Sequence, residues 1–178
     1  MYLFEDKQLD DKRFWEGFDQ ITERLVLGSR VPALAPEWWK LELAERAERL
    51  LMQVRECHQP DRFDEAILES IAFEALLICE TLPTDLQKTV AQRVMELRAL
   101  VKQKGSDYNA GGISILEYWI LGSASIFHEI HKRALRLLSL ARSKRVPSFE
   151  DMPESGLDIS AFCLFLLAYQ QGGFRPIP

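Results

Sequence analysis

Apolar residues recur at intervals of three and four through almost the whole chain, and no stretch alternates with period two for long enough to make a strand. That pattern allows helices packed on helices and excludes a sheet as the organiser of the core. It predicts six helices. The first spans about Asp10 to Leu27, with Phe14, Phe18, Ile21 and Leu25 on one face and Gly28-Ser29 as its stop. The second opens at Pro36, carries Trp38, Leu41, Ala44, Leu51 and Val54, and stops at His58-Gln59-Pro60. A third runs from about Asp61 to Glu80, with Ile67, Ile71, Ala75 and Ile78 at helical spacing. Thr84-Asp85-Leu86-Gln87 has the form of a capping box and opens a fourth helix reaching about Lys104. Gly105 to Gly112 reads as an irregular loop. The fifth helix runs from about Ile115 to Arg142 and loosens at Gly122-Ser123-Ala124-Ser125. The sixth starts near Pro153, with Asp151 and Glu154 at capping-box spacing, and ends at Gly172-Gly173.

The expected fold is therefore all-α: a single compact helical domain over residues 1–178 with a four-helix-type core. A chain of 178 residues can bury one real core and does not demand two. The start of the chain is acidic and has no apolar segment of the signal-peptide kind. The longest apolar run, Ile159 to Tyr169, is eleven residues, interrupted by Ser160, where a membrane span needs about twenty. Cys57, Cys79 and Cys163 lie scattered in apolar surroundings and read as buried free thiols of a reducing compartment. Together these features predict a cytoplasmic protein. The net charge of −5 argues against nucleic-acid binding over the whole surface.

The sixth helix is the least ordinary. From Leu157 to Tyr169 it is apolar nearly all round, which predicts burial on several sides. Its first turns are acidic: Glu150, Glu154 and Asp158 are spaced by four and share one face if the helix begins early enough. Three carboxylates in a stripe suit a hard divalent cation, Mg2+ or Mn2+. Acidic residues also favour a helix start for electrostatic reasons alone. On the fifth helix, His128, Lys132 and Arg136 form a basic stripe with the same spacing, and His131 and Arg133 lie beside it. A short connection makes the two helices antiparallel neighbours, so the stripes are expected to face each other. Such an arrangement serves either phosphate chemistry or a structural salt-bridge network. In the stretch before the fifth helix, Asp107, Tyr108 and Asn109 offer hydrogen-bonding groups among glycines.

Lys104-x-x-Asp107-Tyr108, His131-Lys132-Arg133-Ala134-Leu135-Arg136-Leu137, Phe149-Glu150 and Glu154-Ser155-Gly156-Leu157-Asp158 together resemble the MazG-like all-α nucleoside-triphosphate pyrophosphohydrolases. The likeness is to the phage and bacterial branch described as dATP/dGTP diphosphohydrolase-like or nucleotide-modification-associated. The resemblance covers about residues 100–171, leaving 1–99 as a helical N-terminal part. It implies a Mg2+ or Mn2+ ion held by Glu150, Glu154 and Asp158, with Glu154, Asp158 and His131 taking part in catalysis. Lys132, Arg136 and His128 would bind phosphate, and Asp107, Tyr108 and Asn109 the base or sugar. A nucleoside triphosphate would be cleaved to the monophosphate and pyrophosphate in the cytoplasm of a bacterial or phage-infected cell.

The chain departs from the family pattern of Glu-x-x-Glu followed by Glu-x-x-Asp, because the sixth helix gives Glu154-x-x-x-Asp158. A second acidic arrangement, Glu42, Glu45 and Glu48 followed by Glu65 and Glu69, has the family's helix order but also reads as a solvated face. The rival from another class is a non-catalytic helical adaptor or nucleotide-binding regulator that binds a protein partner. Adjacent Trp38 and Trp39 suggest that one indole lies outside the monomer core, which predicts a homodimer.

Overall fold

The computed structural model describes residues 4–26, 34–58, 62–109, 114–119, 121–143 and 151–174; for residues 4–10 and 106–109 it describes the backbone alone. These residues form six α-helices: α1 (Phe4–Val26), α2 (Leu43–Glu56), α3 (Glu65–Leu76), α4 (Leu86–Asn109), α5 (Ser123–Ser143) and α6 (Met152–Gln171). Two 3₁₀ turns, Trp38–Lys40 and Ile115–Tyr118, precede α2 and α5. The β pairing among the described residues is one isolated bridge, His58 with Phe63. The all-α expectation is met.

The apolar run of α6 places that helix at the centre, against α1, α3, α4 and α5, while α2 closes over α3 and α5. Ile159, Cys163, Leu164, Leu166 and Leu167 are wholly buried. Each large aliphatic side chain so buried stabilises the fold by about 1.5–3 kcal/mol before entropy is counted. Close approach at the α3–α6 crossing depends on Gly156, where a Cβ would lie 2.5 Å from the Ala75 carbonyl oxygen. At the other end, Phe14 of α1 meets Phe165 of α6 and Trp119, filling the space beneath the second 3₁₀ turn.

Helix starts show where local chemistry was legible. Asp151 caps α6, accepting the Glu154 N–H at 2.8 Å, with Pro153 in the first turn. Three expectations need correction. Pro36 leads into the 3₁₀ turn, and α2 starts only at Leu43, where Glu42 and Glu45 form the capping box. The fourth helix is capped by Asp85, whose Oδ1 accepts the Lys88 N–H at 2.9 Å, not by Thr84. The fifth segment is not merely loosened but broken at Gly122, whose φ of 58° favours glycine and turns the chain between the 3₁₀ element and α5.

The tandem tryptophans pack on each other, with Trp39 only half-buried. Trp38 is buried, and Trp39 packs edge-on against it at 4.8 Å with Arg46 above both rings. Arg46 is itself buried and donates to the carbonyls of Leu41, Trp39, Ile78 and Glu80, tying α2 to the end of α3. No helix among the described residues is long and apolar enough to cross a membrane.

Candidate functional site: a cleft between α1, α4, α5 and α6

Asp158 is the charged residue in the otherwise apolar body of α6, and it is buried. A buried carboxylate needs partners, because removing it from water costs several kcal/mol. Two cations supply them. Lys104 Nζ of α4 lies 2.8 Å from Oδ1, and Arg133 Nε of α5 lies 3.4 Å from Oδ2. The network extends outward. Arg133 Nη1 donates to Glu129 one turn earlier, Lys132 Nζ reaches Glu129 at 2.7 Å, and Lys104 stands 4.0 Å from Glu154. Burial acts to raise the Glu129 pKa, but hydrogen bonds from Lys132 and Arg133 outweigh it and hold the carboxyl below its usual range.

This cluster forms part of the wall of a cleft of about 290 Å³. Trp15, Phe162 and Phe165 give it aromatic walls, and Leu100 and Val101 an aliphatic one. The Arg133 guanidinium lies over the Phe162 ring at 4.3 Å, so the cation is held by a ring as well as by carboxylates. On the far side of Arg133 a second compartment of about 650 Å³ is lined by Tyr118, Trp119, Ser125 and His128 among others.

The residues expected from the sequence are distributed as follows. Asp158 is at the centre, and Glu154 stands beside Lys104 without lining the cleft. Helices α5 and α6 are antiparallel neighbours, but Arg133, not Lys132, faces Asp158. One residue along a helix is about 100° of rotation, which carries Lys132 to the exposed side. Arg136 is also exposed and does not line either compartment. His128 lines the second compartment, while His131 stacks on Phe127 with ring centroids 6.4 Å apart. Asp107, Tyr108 and Asn109 belong to the last turn of α4 and not to a loop, and their side chains lie outside the described residues. Glu150 also lies outside them; because α6 begins at Met152, the helical part of the acidic stripe is Glu154 and Asp158.

As arranged, Glu154 and Asp158 do not fit a Mg2+ or Mn2+ centre, since Lys104 stands beside both and Arg133 faces the second Asp158 oxygen. Among the described residues, no three His, Cys, Asp or Glu side chains group closely enough to hold a metal ion. The alternative acidic set is dispersed into structural roles. Glu42 and Glu45 cap α2, Glu48 pairs with Arg142 at 3.1 Å, and Glu65 accepts from Gln171. Glu69 lies half-buried on α3.

Sequence reasoning passed over Lys104, Arg133, Trp15 and Phe162 as site residues. A signal existed for the two cations: a lone carboxylate in an apolar helix requires buried or half-buried positive partners. A second buried carboxylate was also missed. Glu74 on α3 accepts from Trp38 Nε1 at 3.1 Å and from Gln53 Nε2 at 2.8 Å, with Arg49 at 3.5 Å. It joins α2, α3 and the first 3₁₀ turn and lines none of the clefts.

Comparison with protein-family models, with curated proteins and with solved structures finds no match to this chain.

Proposed function

We propose that this protein binds a small molecule of the nucleotide class in the cleft between α1, α4, α5 and α6. The observation that carries the reading is the convergence of Lys104 and Arg133 on Asp158 in an aromatic-walled cleft. Aromatic faces suit a planar base, and the two cations retain donors for an anionic group. The resemblance of residues 100–171 to nucleotide pyrophosphohydrolases points to the same ligand class. It also implies metal-dependent cleavage, which would require Mg2+ or Mn2+ to displace Lys104 from Asp158. The geometry favours binding without metal.

Thermal melting and calorimetry of the purified protein with nucleoside mono- and triphosphates test this, with and without Mg2+ or Mn2+ and with pyrophosphate release read in parallel. Binding in the absence of divalent metal, weakened roughly tenfold or more by Arg133→Gln, is the expected result. Absence of binding by any nucleotide at millimolar concentration would overturn the reading. It would leave the adaptor reading, which the exposed Tyr118 and Leu121 favour.

A further inference from the structure

The compartment that carries the nucleotide reading encloses little more than a base. Its volume of about 290 Å³ lies at the lower edge of the roughly 300–1,000 Å³ usual for small-molecule pockets. It has room for one ring system. The second compartment, about 650 Å³, shares with it a wall made of Ile115, Arg133, Phe162 and Phe165. Its remaining lining is mixed: Tyr118 and Trp119 offer ring faces, Ser125 and His128 polar groups.

Arg133 is the cation common to both compartments. Its Nε is spent on Asp158 and its Nη1 on Glu129, which fixes the guanidinium plane over Phe162. Its Nη2 donates to none of the described residues. A pre-oriented donor therefore stands at the junction, already held in place and not yet used. The amount of charge it can accept is limited. Lys104 and Arg133 on the two walls are balanced by Asp158 and Glu129, so the combined lining has no net charge. A multiply charged triphosphate would be poorly matched there, whereas one negative charge meets an unspent donor.

We infer that the two compartments are one bipartite site for a free dinucleotide-type ligand, with one base in the smaller compartment, the second nucleoside in the larger, and a singly charged phosphodiester at Arg133. The inference rests on the nucleotide reading above. The overall charge of −5 disfavours a long polyanion and points to the free small molecule.

Calorimetric titration of the full chain with four probes tests it: a nucleoside monophosphate, the matching phosphodiester-linked dinucleoside monophosphate, the nucleoside triphosphate and a longer single-stranded oligonucleotide. The dinucleoside monophosphate is expected to bind roughly tenfold or more tightly than the monophosphate, and more tightly than the triphosphate. Ala124→Trp, at an exposed position lining the larger compartment and not the smaller, should remove that gain. Equal affinity for mono- and dinucleotide overturns the bipartite site and leaves nucleotide binding standing. Tighter binding of the longer oligonucleotide overturns the assignment to a free ligand. Failure of all four probes to bind overturns the nucleotide reading and this inference together.

Discussion

Gly156 of α6 rests directly on the carbonyl of Ala75 in α3, so close that a Cβ at this position would lie 2.5 Å from the oxygen and 2.8 Å from Ile78 Cγ2. The contact sets the separation of α3 from the central helix, two residues before the buried carboxylate of the cleft. Gly156→Ala should force the helices apart and destabilise the protein by about 1–3 kcal/mol, the usual cost of overpacking. A urea midpoint unchanged from the parent would show that the crossing can relax. Because Asp158 follows within the same turn of α6, the variant should also weaken ligand binding in the cleft.

Asp158→Asn removes the charge that Lys104 and Arg133 share. Breaking a fully buried pair costs about 3–5 kcal/mol, but here Lys104 is 40% exposed and Arg133 keeps Glu129. The expected loss is therefore smaller, about 1–3 kcal/mol by denaturant unfolding. Manganese should leave the melting temperature of the parent unchanged. A clear manganese-dependent rise in the parent, absent from the variant, would restore the metal centre and count against the cation-clamped arrangement.

Glu74 gives a second test of buried charge, remote from the cleft. Glu74→Gln places an amide N–H₂ among the donors of Trp38, Gln53 and Arg49, leaving at least one of them without an acceptor. Destabilisation of about 1–3 kcal/mol is expected, with a change in tryptophan fluorescence from Trp38. Nucleotide affinity should not change under conditions where the variant is folded.

The thiols make stability depend on alkaline pH. Burial pushes Cys57 up to about 12 and Cys79 up to about 11, from an ordinary value of 9.0, and raises Cys163 as well. Between the ordinary and the folded values the native state holds protons that the unfolded chain has released. The contribution is thus fully present below about pH 9 and is lost as pH rises through the folded values. Urea midpoints should fall from pH 9 towards 11, and the fall should be shallower in Cys57→Ser. At pH 8, Cys57 and Cys163 should react with an alkylating agent only at the rate of unfolding, since both are buried. Prompt modification of either thiol in the native protein would contradict this.

Much of the fold was legible in the sequence. The apolar girth of α6 announced a central helix, the Asp151 and Glu154 pair marked its start, and of the three cysteines expected to be buried Cys57 and Cys163 are, while Cys79 is half-buried. The cleft was legible only in part. Spacing by four showed that His128, Lys132 and Arg136 share a face, but not which way the face points. The packed face of α5, built on Ile126, Ile130, Ala134 and Leu137, carries Glu129 and Arg133 at its edge and turns Lys132 outward. Glu74 in an apolar helix gave no sign of its donors, because Trp38 and Gln53 are distant in sequence.

The sequence by itself determined that the chain is helical, the starts of α4 and α6 to within a residue or two, and the identity of the helix that must be buried. These follow from periodicity and from local hydrogen bonding, which act within a turn or two of chain. The tertiary structure alone decided that Lys104, Arg133 and Asp158 meet, and that Trp15 and Phe162 wall the place where they do. Lys104 and Asp158 lie 54 residues apart, and a pairing over that distance is chosen by how whole helices pack. A rotation of one residue on α5 would have exchanged Arg133 for Lys132, and that rotation is set by side-chain volumes at the shared core, not by the charged residues themselves.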